Sequence, residues 1–489
     1  MKPKTKLYLT NCALAFQHLF AVLGGVVVVP VLLKMETSMG LFCSGLGTVL
    51  FYFVCKRQVP VFHGSSSTYL AGLQALMKNC IEKNHYSHES YVARQAIAII
   101  ISGVVYFIIA VIVYFVGPQR ISKLFPPIVV GPIVMAIGLP LCPKMIDSNI
   151  VSSYDGPKAK FHSYQVWIIA VITMAVIVGM TCFAPGIWNC LGIIFGIVAG
   201  YIASACFQVI DYSQIKSSNW ILFQPEEFKK TFWFWKEAKW DWGAIGMIIP
   251  LAIVALMEHL GDVSTNSSVC GKDFFVEPGL HRTIAGDGCA LVAAGFLGAP
   301  PMATYSQNTG VLVITRNFNP DVLAIAGGYA MFLGLITKVG AIFNSIPSFV
   351  IGAASSMMFA IIGCMGIKVL IMNNVDISKS RNLMISALIL LIGIGFPYGR
   401  VDTSAGDVEI SPVAIATLVG VILNLCIPEK KGNADHENNS EMDSEEAKRY
   451  ESEYSEGKYN QSMNEDEIEN SSESSENNTV QDLNRTDEV

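Results

Sequence analysis

The sequence predicts an all-α polytopic membrane protein. It has fourteen transmembrane segments, arranged as two inverted seven-segment repeats, with short interrupted segments 3 and 10. Three observations predict this. Of 489 residues, 52% are hydrophobic and only 15% are charged, which is too apolar for an ordinary soluble chain. Apolar stretches of membrane-spanning length recur from residue 7 to residue 427. Two segments at corresponding places in the halves, Val59–Thr68 and Pro300–Thr309, open on proline followed by small or polar residues.

The expected segments are 7–31, 38–55, 59–76, 94–117, 126–142, 164–183, 186–206, 243–268, 285–299, 301–316, 321–343, 346–372, 382–397 and 411–427. The first follows Lys2, Lys4 and Lys6. It is too long for a signal core and lacks a small-residue cleavage site, so it reads as a spanning segment. An even number of crossings puts Lys56, Arg57, Arg120, Lys123, Lys272, Arg282, Arg316, Lys379, Arg381, Lys430 and Lys431 on the same side as both termini. That side is the cytoplasm by the positive-inside rule. The exterior receives 77–93, 143–163 and 207–242. The last of these carries Trp220, Phe232, Trp233, Phe234, Trp235, Trp240 and Trp242, a composition suited to the membrane–water interface. Lys338, in the eleventh segment, reads as a cation that snorkels to the interface.

A repeat of seven segments must have inverted topology. Phe125–Gly131 (FPPIVVG) echoes Ile346–Gly352 (IPSFVIG) at segments five and twelve, in support of the repeat. Residues 429–489 hold 19 acidic and 6 basic residues and few large apolar ones. They cannot bury a core and are expected to be a disordered acidic tail, 428–489. The twelve cysteines are scattered and contain no CxxC, so they read as small buried hydrophobes, without a disulfide framework or zinc site.

The candidate functional residues lie in the apolar segments. Glu258 sits in an apolar run, where a carboxylate costs several kcal/mol and is rarely found without a role. Asp262 lies four residues on and shares its helix face. Two carboxylates so placed favour keeping a proton on one of them, as a proton-coupled carrier requires. His259 points about 100° away from Glu258 and reads as a packing residue.

Where segments 3 and 10 begin extended and end helical, free backbone N–H groups must line a cavity or be buried. Gly64–Ser67 and Tyr305–Gln307 are the expected donors. The Gln307 amide offers a donor beside an acceptor, matching the lactam edge of a nucleobase. Asn308 does the same or caps the following helix. Gln17 and His18 are a second polar interruption, suited to a helix–helix hydrogen bond or to ligand contact. No nucleophile–base pair or metal cluster stands out, so an enzyme is not expected, and neither is a cofactor, a metal or a nucleic-acid partner.

Four motifs in order resemble the nucleobase–ascorbate transporter family, uracil/xanthine permease type. Gln307–Arg316 matches its signature: Gln or Glu, Asn, any residue, Gly, four residues, Thr and a basic residue. Glu258–Asp262 (EHLGD), Gln17-His18 and Pro278–Arg282 (PGLHR) resemble its eighth-segment, first-segment and post-eighth-segment motifs. The likeness spans 7–427. It implies a core domain (1–120 with 243–343) moving against a gate domain (121–242 with 344–427). Glu258 and Gln307 would bind the base, Asp262 and Asn308 would support them, and backbone around Ser67 and Ser306 would complete the site beside Tyr305. It also implies uptake of uracil or xanthine with protons across the plasma membrane, by a homodimer. Uracil-type members usually carry Glu where this chain has Gln307, and often His where it has Asp262. Xanthine- and urate-type members usually carry Gln and Asp, so the substrate stays open. Ser67 stands where Phe is common. A sulfate- or bicarbonate-type anion transporter of similar fold is the alternative, against which Glu258 argues by charge. A receptor or scaffold signalling through the tail is the third reading.

Overall fold

The first half of the chain folds as α1 (Pro3–Leu32), α2 (Thr37–Val54), β1 (His63–Ser65), α3 (Leu70–Met77), α4 (His88–Val116), α5 (Pro127–Met145), α6 (Ser163–Phe183) and α7 (Gly192–Cys206). The second half follows with α8 (Trp242–Cys270), α9 (Leu280–Phe296), β2 (Met302–Thr304), α10 (Gln307–Thr315), α11 (Pro320–Gly334), α12 (Ser348–Met372), α13 (Ser380–Gly395), β3 (Gly399–Thr403), β4 (Gly406–Ile410) and α14 (Pro412–Cys426). This computed structural model describes residues 3–427 except 84, 118–119, 121–125, 156–160, 219, 221–232, 306, 397–398, 404–405 and 411. The acidic tail, Ser306, Lys123, Phe125, Phe232, Lys430, Lys431 and the Gln307 side chain lie outside the described residues.

Among the described residues, eight helices are long and apolar enough to cross a membrane. The protein is a multi-pass membrane protein. The two interrupted segments fold as expected. Pro60 and the run Gly64–Ser67 offer the chain little helix propensity, and it stays extended through Ser66 before turning at Ser67–Tyr69 into α3. Pro300-Pro301 bars a helix in the same way. The strands meet antiparallel in mid-protein, His63 opposite Thr304, Gly64 opposite Ala303 and Ser65 opposite Met302. Ser66 N–H to Pro301 O (2.7 Å) and Tyr305 N–H to Phe62 O (3.0 Å) continue the ladder at its ends. Non-helical backbone at membrane depth is thereby satisfied inside the protein.

The packing partners carry the repeat. Shifting every helix number by seven turns α2·α11 into α9·α4, α1·α11 into α8·α4, α6·α7 into α13·α14, and α5·α13 into α12·α6. All of these pairs are in contact, while α5·α12 and β1·β2 map onto themselves. That is the contact pattern of two halves related by a pseudo-twofold axis. Small residues permit the closest crossings: Gly45 lies against the Gly327 carbonyl, and Gly138 against the backbone of Gly363.

The fold is mostly helical as expected, with β1–β2 and the hairpin β3–β4 as short sheets, and two segments depart from their expected course. The hairpin sequence, Arg400-Val-Asp-Thr with Asp407-Val-Glu-Ile, alternates polar and β-branched residues, the period of a strand. The eleventh segment is not continuous over 321–343. Ile336 takes an extended backbone (φ −94°, ψ 95°) between α11 and a short helix, Thr337–Asn344, and the Thr337 N–H leaves the helical ladder for the Trp220 carbonyl at 3.1 Å. The seventh segment opens as a 3₁₀ turn, Gly186–Leu191, after Pro185. Lys338 lies over the Trp220 ring, 4.8 Å from its centre, so an aromatic partner accompanies the expected snorkelling.

Candidate substrate site

Helix α8 lays three polar residues along one face at four-residue spacing, and each accepts a threonine hydroxyl from a segment that crosses it. Thr68, just after β1, donates to Glu258 Oε2 at 2.5 Å. Thr304, the last residue of β2, donates to Asp262 Oδ2 at 2.8 Å. Thr309, in α10, donates to Asn266 Oδ1 at 2.7 Å. The two acids thus address the two interrupted segments separately, and no hydrogen bond joins them. Asp262 is buried (7% exposed), whereas Glu258 is only half-buried. Glu258 is the acid with surface left to offer a solute.

The other predicted residues gather at the same crossing. His18 Nδ1 on α1 donates to Asn308 Oδ1 on α10 at 2.5 Å, which fixes the amide of the signature motif. Tyr305 OH donates to the Ser65 carbonyl at 2.7 Å, tying β2 back to β1. Ser67 is buried. Its N–H and those of Thr68 and Tyr69 precede α3 and have no backbone acceptor among the described residues. They are the free donors of a helix start. Gln17 Oε1, Ser66 Oγ and Asn308 Nδ2 are buried polar atoms with no hydrogen-bond partner among the described residues. Buried polar atoms are rarely left unpaired, and these three cluster on the segments that hold the predicted site.

Two cavities flank the crossing. One, of about 120 Å³, opens toward the Trp242 end of α8 and is lined by Thr68, Leu251, Ile137, Lys144, Phe396 and neighbours. The other, of about 220 Å³, opens toward the Cys270 end between Pro127, Val130, Gly261, Ser264 and Val369. Both lie between α8 and α5. Along α8, Glu258 falls between their linings.

A permease family model, Xan_ur_permease, matches residues 10–401. The chain belongs to the nucleobase–ascorbate transporter family. It is 35% identical to the uracil permease of Bacillus caldolyticus over 85% of this chain and 91% of that one. It is 33% identical to the uracil permease of Bacillus subtilis over 85% and 92%, and 31% identical to that of Escherichia coli K12 over 85% and 91%. Family membership makes it a transporter and not an enzyme. Among solved structures it is similar to the transmembrane domain of a cyanobacterial bicarbonate transporter, BicA (TM-score 0.52, 12% identity, covering 85% of this chain and 97% of that one). It is also similar to SLC26A9 (TM-score 0.58, 13% identity, covering 86% and 65%). At such identities the likeness concerns the fold alone.

Within this family member the sequence reading overlooked a buried cluster. Asp287 on α9 is 1% exposed and lies between two histidines. His63 Nε2 on β1 stands 2.7 Å from Oδ1, and His259 Nδ1 stands 2.9 Å from Oδ2. His259 Nε2 lies 3.1 Å from the Thr283 hydroxyl. His259 does more than pack: it reaches Thr283 and Asp287, and so ties α8 to α9. His63 is also clasped through its backbone by α2, where Ser44 donates to its carbonyl and Thr48 accepts its N–H at 2.9 Å.

Two signals in the sequence pointed to these residues. Asn266 continues the four-residue spacing of Glu258 and Asp262. Asp287 is an acid within the apolar run of α9 and stands between two glycines, Gly286 and Gly288.

Gly64 makes the strand pairing possible. A Cβ there would press into the Tyr305 ring, with Cε2 at 2.6 Å. Gly64→Ala is expected to reach the membrane and to lose at least about tenfold in uptake rate, since displacing a reacting or binding group by about 1 Å costs up to about a hundredfold. Uptake normalised to surface protein checks this. Unchanged uptake would mean that the Gly64–Tyr305 contact does not set the site.

Proposed function

We propose that this transporter takes up a nucleobase, with uracil as the first candidate, together with protons and by alternating access. The observation that carries the reading is the α8 face. Glu258 is half-buried and bonded to Thr68 of the first interrupted segment, where the N–H groups of Ser67 and Thr68 have no backbone acceptor among the described residues. A carboxylate plus backbone donors complements a ring that presents N–H beside C=O. The curated relatives named uracil permeases support the choice of uracil. Gln307 and Asp262 keep xanthine as the competitor.

In this reading all fourteen segments cross the plasma membrane, with both termini in the cytoplasm and the Trp242 end of α8 outside. The exposed rings of Trp220, Trp233, Trp240 and Trp242 support that placement. The core comprises 1–120 and 243–343 and the gate 121–242 and 344–427. The two cavities between α8 and α5 are the remnants of an outer and an inner vestibule, opened in turn as the gate moves. A homodimer is the expected assembly. An anion-transporter reading draws only on the fold shared with BicA and SLC26A9. Glu258 opposes it, because a carboxylate repels an anionic solute.

Labelled uracil uptake in transport-deficient cells, competed with xanthine, hypoxanthine and urate, tests the proposal. Saturable uptake that collapses when the proton gradient is dissipated is expected. Sulfate or bicarbonate uptake without base uptake would reject it. Gln307→Glu is expected to shift preference toward uracil by about tenfold, the scale of one charge-assisted hydrogen bond. An unchanged ratio of uracil to xanthine inhibition would show that Gln307 does not read the base.

A further inference from the structure

The cavity toward the Trp242 end of α8 has a chemistry of its own. Among the described lining residues Lys144 is the one that carries a charge; the walls are largely apolar, among them Ile137, Leu141, Leu251 and Phe396, and Thr68 adds a hydroxyl. No carboxylate pairs with Lys144 among the described residues. Lys144 is an exposed residue at the end of α5, and an ammonium that lines an apolar space favours a ligand that brings electron density to it.

Thr68 fixes the other half of the chemistry. Its hydroxyl has one hydrogen, and that hydrogen goes to Glu258. Toward the cavity it therefore offers only lone pairs, and so accepts. Lys144 can only donate. One acceptor and one donor lining a small apolar space match a ring that carries both N–H and C=O on its rim. The cavity, about 120 Å³, is in the size class of the ~150 Å³ apolar space that admits benzene. It fits a single ring better than a fused pair.

We propose that this cavity is an outer subsite that receives a pyrimidine base, with Thr68 accepting a ring N–H and Lys144 donating to a ring carbonyl. The proposal rests on the nucleobase reading and adds a specificity to it. The base is sorted here, before Glu258, and bases with a more acidic ring N–H bind more tightly. Both contacts strengthen as the N–H gives up proton density and the carbonyl gains charge. Thr68 touches both places, so a base that leaves the subsite passes directly to the Glu258 carboxylate.

The test uses the full chain in transport-deficient cells, with 5-fluorouracil, uracil and thymine as competitors, in order of falling ring N–H acidity. In the unmodified protein the inhibition constants should rise in that order. Lys144→Met, close in shape and without a donor, should raise KM for uracil about tenfold, leave the maximal rate within about twofold, and compress the spread between the three bases. Lys144→Arg should keep the spread. An unmodified protein that shows no ranking by acidity overturns the proposal whether or not any variant folds. So does Lys144→Met with unchanged KM and unchanged spread at normal surface level. If the unmodified protein takes up none of the three bases, the nucleobase reading itself fails. That outcome is distinct from normal uracil uptake that is indifferent to Lys144.

Discussion

Glu258→Gln is expected to lower uracil uptake by about a hundredfold while the protein still reaches the membrane. The neutral amide keeps the shape and can still accept the Thr68 hydroxyl, which in the native protein lies 2.5 Å from Oε2, so folding should survive. It cannot form charge-assisted hydrogen bonds with a ring N–H, each worth about 1.5–3 kcal/mol, or about ten- to a hundredfold in binding. Nor can it gain and lose a proton through the transport cycle. Asp262→Asn provides the contrast. That acid is 7% exposed and bound to Thr304, so its loss should act more on the pairing of α8 with β2 than on substrate affinity. The measurement is initial uptake against uracil concentration over a range of external pH, normalised to surface protein. Near-normal, proton-dependent uptake by Glu258→Gln would remove Glu258 from the mechanism.

Asp287→Ala is expected to destabilise the fold by about 2–5 kcal/mol, the cost of leaving two buried imidazoles without their shared polar partner. It would leave His63 and His259, 0% and 1% exposed, without the carboxylate that holds them at 2.7 and 2.9 Å. Three elements meet there, β1, α8 and α9, so the loss would be felt both at the strand pairing and at Glu258 next to His259. Asp287→Asn, which retains a hydrogen-bonding oxygen, should lose less. Thermal unfolding of purified protein in detergent, with the amount reaching the membrane, checks both variants. If Asp287→Ala melts at the native temperature, the cluster does not bind these elements together.

Much of the site was legible because membrane segments punish polarity. Glu258, Asp262, Gln17, His18 and Asn308 stand out against apolar neighbours, and a polar residue in hydrocarbon is expensive enough to mark a role. The breaks at Pro60–Ser67 and Pro300-Pro301 were legible for a related reason: proline and small residues cannot continue a helix, and their matched positions exposed the repeat. The hydroxyls were not legible. Thr68, Thr304 and Thr309 are ordinary in an apolar segment, where a threonine often bonds nearby backbone, and nothing local shows that a polar side chain from α8 lies within reach. His63 and Asp287, 224 residues apart, carry no mutual signal in one sequence.

By itself, then, the sequence determined that this protein lives in a membrane and that its two halves echo each other, and it singled out one acidic helix and two broken segments. It could do so because hydrophobic length, helix-breaking residues and isolated charges are local properties of the chain. Only the tertiary structure decided which groups meet. It brought β1 against β2, gave Glu258 and Asp262 to different broken segments, and set Asp287 between two histidines. It also left Lys144 facing a small cavity beside Thr68. Those outcomes depend on the close crossing of α8 with segments far away in sequence. Such crossings are fixed by the packing of whole helices around small residues, which no single stretch of sequence encodes.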